Sequence, residues 1–92
     1  MKDLISVVVT CYNHEDYIEQ CLRSIFKQNY RNIELFVFND GSTDKSAQII
    51  QETLRDSPFP TQFKSHENMG VVKTRNKGLS LIQGTFFLFV DS

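Results

Sequence analysis

Residues 4–10, LISVVVT, are β-branched almost throughout and apolar on both faces of the strand they predict. A half-exposed strand alternates apolar with polar residues. One that does not alternate is covered on both sides, as in the middle of a parallel sheet. Parallel strands need long crossovers, usually helices, so this run by itself predicts an α/β chain.

The rest of the sequence supplies the crossovers. After the polar turn CYNHE, apolar residues recur at Ile18, Cys21, Leu22, Ile25 and Phe26, a spacing of three and four. That spacing predicts an amphipathic helix over 15–28, with Asn13 as a cap before it. Residues 33–39, IELFVFN, predict a second strand. DGSTD then predicts a turn leading to a helix over 45–55, with Ala47, Ile50 and Leu54 on one face. SPFP breaks that helix, and residues 61–65 read as a short polar strand suited to a sheet edge. HENMG reads as a loop. Val72, Arg75, Leu79 and Ile82 mark a third helix ended by Gly84, and residues 86–90 form a fourth strand. Ligands of such sheets bind beyond the strands' carboxyl ends, here Thr10 to Asn13, Asn39 to Asp44, His66 to Gly70, and Asp91.

Composition excludes several function classes. Ninety-two residues fit one small domain with a marginal core. A formal net charge of -1, with Lys and Arg scattered, gives no electrostatic reason to expect a nucleic-acid partner. Cys11 and Cys21 read as small buried apolar residues rather than a disulfide. With no CxxC and no Cys/His cluster, no zinc site is expected. The opening MKDLISVVVT is too short and too soon interrupted for a secretory signal, and no segment approaches the roughly 20 apolar residues that span a bilayer. The expected location is cytoplasmic, at the cytoplasmic face of the membrane for a full-length form.

The loops decide the chemistry. Cys11-Tyr12-Asn13-His14 has no glycine, so a dinucleotide-binding fingerprint is excluded, and no GxxxxGK makes a P-loop. The acidic pair that phosphorylation receivers carry after the first strand is also absent. The loops offer instead an aromatic ring, Tyr12, and a carboxylate, Asp40. A ring to stack on a base and an acceptor for a base N–H suit a uracil-like ligand.

With those residues in place, the chain resembles the N-terminal half of an inverting GT-A glycosyltransferase of family 2. The likeness is carried by ISVVVTCYNHEDYIEQCLRSIFKQNYRNIELFVFNDGSTDKS, then HENMGVVKTRNKGL, then FFLFVDS, which together cover nearly the whole chain in order. The resemblance implies a three-layer, Rossmann-like α/β fragment with sheet order 3-2-1-4, truncated, residues 1–92 being the nucleotide-sugar-binding part. It implies that Thr10 and Tyr12 line the base pocket, with Tyr12 on the base, and that Asp40 accepts the base's imino hydrogen. Asp91 resembles the first acid of the family's Asp-x-Asp motif, near ribose and metal-bound diphosphate. The second acid and the catalytic base would lie beyond Ser92, so no catalytic residue is expected in this chain. The usual acidic pair after the second strand reads Asn39-Asp40 here, which leaves the first position without its charge.

The resemblance further implies sugar transfer from a nucleotide diphosphate sugar, UDP-linked, to a glycan or lipid-linked acceptor hydroxyl in cell-surface polysaccharide synthesis. A divalent cation, Mg²⁺ or Mn²⁺, is expected for the full-length enzyme. This fragment is expected to be inactive, to bind metal poorly through Asp91 alone, and to self-associate through its last strand. Blander alternatives stand beside each residue. Tyr12 can simply cover the sheet end, and Asp40 can serve the Gly41-Ser42 turn. Asp44 reads as a cap or first-turn acid. Arg75 is a weaker phosphate candidate, since a helical arginine is more often a solvated charge. His14 and His66 read as lone loop histidines. A non-catalytic nucleotide-binding module is the rival of another class. An unrelated parallel α/β signalling domain fits the alternation but leaves Tyr12 and Asp40 unexplained.

Overall fold

The computed structural model describes residues 3–84 and 86–91, the last of these by its backbone only. Four strands alternate with three helices: β1 (Ile5–Cys11), α1 (Ile18–Phe26), β2 (Ile33–Asp40), α2 (Ser46–Leu54), β3 (Thr61–His66), α3 (Val71–Leu79) and β4 (Phe86–Asp91). All pairings are parallel and the sheet order is β3-β2-β1-β4, as expected. β1 and β2 lie in the middle and are buried almost end to end. This is why neither carries a polar alternation: helices cover both faces.

The two faces are covered differently. On one, Val7, Val9, Leu35 and Val37 pack with Ile18 and Leu22 of α1 and Ile50 of α2. On the other, Val8, Phe36 and Phe38 meet Leu81, Ile82 and Phe89. α3 lies on this second face with Thr74 and Gly78 inward. A Cβ on Gly78 would come within 2.8 Å of Val8 Cγ1 and 3.3 Å of Phe38 Cε2. Close approach of helix to sheet, rather than apolar bulk, therefore decides which side of α3 is buried.

That packing corrects the expected apolar face of the third helix. Val72 and Leu79 are exposed, Arg75 is half-buried, and Ile82 lies beyond the helix. The helix ends at Leu79 rather than at Gly84. Gly84 serves the sheet instead: its N–H donates to Ser6 Oγ at 2.9 Å, and a Cβ there would strike the Leu4 carbonyl at 2.6 Å. α1 is also shorter than predicted. Residues 14–17 form a turn in which the His14 carbonyl accepts from the N–H groups of Tyr17 and Ile18. Asn13 is not its cap; the cap position is Tyr17, with no side-chain bond.

β4 sits at the sheet edge beside β1, and β3 at the other edge. Phe86, Phe87 and Leu88 are each more than half exposed, while Phe89 is half-buried under Arg75. An apolar cleft of about 330 Å³, lined by Ile5, Val7, Ile25, Tyr30, Leu88 and Val90 among others, opens between α1 and this strand. No helix among the described residues is long and apolar enough to cross a membrane.

Candidate functional site

Because every strand runs the same way, the loops after β1, β2 and β3 meet at one end of the sheet. Hydrogen bonds lock the first two together. The Asn13 N–H donates to Ser42 Oγ at 2.9 Å, and Asn13 Oδ1 accepts from the Thr43 N–H at 2.8 Å. Asn13 reaches this position with φ 52°, a left-handed conformation that asparagine tolerates. Its sequence signature as a cap was real polar chemistry, spent on the neighbouring loop. Asp44 works on both sides: Oδ1 accepts from the Ser46 N–H at 2.9 Å and Oδ2 from the Glu15 N–H at 3.1 Å. Burial opposes its charge, but the bonds from Ser46 and Glu15 outweigh that and hold the Asp44 carboxyl below its usual range.

Asn39 and Asp40 divide the labour at the end of β2. Asn39, almost fully buried, donates from Nδ2 to Ser65 Oγ at 2.9 Å and accepts from the Ser42 N–H at 3.3 Å. The turn is thus served by Asn39 and not by Asp40, and a neutral amide suits it because it must donate as well as accept. Asp40, 5% exposed, turns to the loop after β3. Its Oδ1 accepts from the Met69 N–H at 2.8 Å and its Oδ2 from the Gly70 N–H at 3.1 Å, while its backbone carbonyl accepts from Asn68 Nδ2 at 3.2 Å. It holds the entry to α3 from a different strand. Each carboxylate oxygen takes one of these two bonds and carries a second lone pair beside it.

The remaining candidates fall around this anchor. Thr10, 6% exposed, lies on β1 level with Phe38 and, across the other side, with Asp91. Tyr12 follows β1 directly, one residue past the Cys11–Asn39 pair that ends the β1–β2 register, with 47% of its surface exposed. Arg75 sits on α3 with its guanidinium carbon 5.5 Å from the Phe89 ring centre, a cation–π stack. Asp91 ends β4, and its side chain lies outside the described residues. Thr10, Tyr12 and Asp40 are therefore brought to one end of adjacent strands, while Arg75 is tied to the β4 side.

One neighbour escaped the sequence reading. His66 is the register partner of Asp40 across β2 and β3, and its Nδ1 lies 3.5 Å from Asp40 Oδ1. Only the register, invisible in a polar edge strand, could have revealed it. No group of three or more Cys, His, Asp or Glu side chains among the described residues is placed to hold a metal ion. A complete cation shell would need ligands besides those described.

Comparison with known proteins bears on the family and the fold. The chain is 43% identical over all its 92 residues to glycosyltransferase GlyA of Streptococcus pneumoniae serotype 4, of which it covers 13%. It superposes on the crystal structure of S. aureus TarS 1-349 in complex with UDP-GlcNAc with a TM-score of 0.84 and 36% identity, over 96% of this chain and 26% of that one. The mannosyltransferase PcManGT from Pyrobaculum calidifontis, in complex with GDP-Man and Mn²⁺, shares the fold with a TM-score of 0.91 at 23% identity, over 99% of this chain and 28% of that one. The chain thus spans a minor part of each. The sequence profile of glycosyl transferase family 2 matches residues 6–92, and the chain belongs to that family.

Proposed function

We propose that residues 1–92 are the nucleotide-sugar-binding part of a glycosyltransferase. In its longer form this enzyme moves a sugar from a nucleotide diphosphate donor to an acceptor hydroxyl during glycan or cell-surface polysaccharide synthesis. One observation carries the reading: a buried carboxylate, Asp40, held by the Met69 and Gly70 N–H groups at the end of β2, at the same end of the sheet as the exposed Tyr12 that follows β1. Tyr12 stacks on the base, Thr10 closes the pocket floor, and Asp40 accepts the base N–H, a pairing suited to uracil. The UDP-GlcNAc held by the 36%-identical TarS structure supports a uridine donor over a guanosine one.

Asp91 follows as the ribose and diphosphate neighbour and as a contribution of this chain to a metal site, with Arg75 as a secondary phosphate contact. A divalent cation would neutralise the leaving diphosphate when bound. The catalytic base belongs to the longer protein, and the location proposed for it is cytoplasmic, at the membrane face. The chain itself neither transfers nor hydrolyses nucleotide sugar. The uncovered strand β4 supports association with a second copy.

Titrating UDP into the chain with and without Mn²⁺, followed by amide NMR shifts, tests the pocket. Shifts are expected at Tyr12, Asp40 and their loop neighbours, nearly the same with and without metal. Shifts confined to residues away from those loops would remove the assignment.

A further inference from the structure

We propose that His66 is a positioning residue of the base pocket: it fixes the Asp40 carboxylate and the β3–α3 loop, and nucleotide affinity depends on its Nδ1–H. The inference rests on Asp40 being a nucleotide acceptor, and adds a residue that the pocket reading does not contain.

The proton is assigned by the partners. His66 Nδ1 lies 2.9 Å from the Glu67 carbonyl oxygen and 3.5 Å from Asp40 Oδ1. Both neighbours can only accept, so Nδ1 carries the hydrogen. At these distances the bond goes to Glu67, and the protonated nitrogen stands beside the carboxylate, close enough to attract it. The other ring nitrogen, Nε2, is buried without a hydrogen-bond partner among the described residues. The ring is therefore oriented by Nδ1 and by packing near Phe38, whose ring centre is 6.3 Å away.

Burial gives that arrangement weight. The side chains of His66 and Asp40 are 13% and 7% exposed, so water screens their contact little. His66 ends β3, and the segment from Glu67 to Gly70 starts from it. One imidazole thus sets where this loop leaves the sheet and faces the carboxylate to which the loop returns through Met69 and Gly70. A carboxylate with fixed torsion offers its free lone pairs in one direction, and a ligand N–H then finds them without reordering cost.

Three variants separate this role from a structural one. His66→Asn places an amide N–H where Nδ1 stands, His66→Gln places one near Nε2, and His66→Phe keeps a ring without a donor. In the 92-residue chain, the wild-type ring should show the Nδ1–H tautomer in two-bond ¹⁵N–¹H spectra near neutral pH. His66→Phe and His66→Gln should move the Met69 and Gly70 amide resonances and weaken UDP binding by roughly three- to tenfold, a fraction of one charge-assisted bond. His66→Asn should restore both. Unchanged UDP affinity in His66→Phe, or equal affinities in the Asn and Gln variants, would overturn the proposal. If wild type binds no UDP, the pocket reading fails. The positioning claim then stands or falls on the Met69 and Gly70 amides: unmoved in His66→Phe, they overturn it, and moved but restored by Asn, they uphold it.

Discussion

Gly41 is where the loops of this site can be perturbed most cleanly. It has φ 70°, and a Cβ built on it would lie 2.4 Å from Asn68 N and 2.9 Å from Asn68 Cα. Alanine there incurs two costs. The left-handed conformation takes about 1–2 kcal/mol for a residue with a Cβ. The collision is with backbone, so no side-chain rotation relieves it, and the β3–α3 loop must retreat by about an ångström to reach ordinary contact. Such a retreat carries the Met69 and Gly70 N–H groups, now 2.8 and 3.1 Å from Asp40, out of hydrogen-bond range. Bonds to a charged group are worth about 1.5–3 kcal/mol each, but a loosened loop lets water reach the carboxylate, so about 2 kcal/mol is lost in all. Gly41→Ala should therefore destabilise the chain by roughly 3–4 kcal/mol, a large share of the roughly 5–14 kcal/mol a domain of this size holds. Urea denaturation reads it, and the Met69 and Gly70 amides report the loop. Gly41→Asn separates the two costs, because asparagine tolerates positive φ but meets the same backbone. It should lose most of what alanine loses. Wild-type stability in Gly41→Asn would refute the argument that Asn68 packing, rather than φ, requires glycine.

Two further outcomes follow from the same geometry. Asp44→Ala removes the carboxylate that joins the first two loops and should cost about 1 kcal/mol at neutral pH. The folded-state pKa of Asp44 is depressed, so its stabilisation is present above the unfolded value near ~4 and lost as pH falls through the folded one. The gap between wild type and variant in urea should close in acid, and a gap unchanged at low pH would show that the carboxylate's charge is not what stabilises. The β4 edge, with Phe86, Phe87 and Leu88 exposed and no charge before Asp91, should pair with a second copy in an antiparallel two-fold that keeps the two Asp91 residues apart. Sedimentation should show dimer that Leu88→Lys returns to monomer; wild type monomeric at every concentration would end that reading.

The sequence by itself determined the architecture, because burial on both faces writes an unbroken apolar run and crossover helices write a three-four spacing. LISVVVT and IELFVFN are too apolar for edge strands, and TQFKS is too polar for a central one. It also placed Tyr12 and Asp40 at one end of the sheet, since residues at the carboxyl ends of parallel strands gather there whatever the details of packing. What it could not decide were the contacts between segments distant in the chain. Asn13 has the chemistry of a cap and instead binds Thr43, thirty residues on, because both loops converge at one end of the sheet. The apolar Val72 and Leu79 suggest a buried face, yet α3 turns Thr74 and Gly78 inward because only small side chains let it approach Val8 and Phe38. His66 looks solitary until the β2–β3 register sets it beside Asp40. Local sequence encodes periodicity and polarity; register and close approach are properties of two segments at once, and only the tertiary structure fixes them.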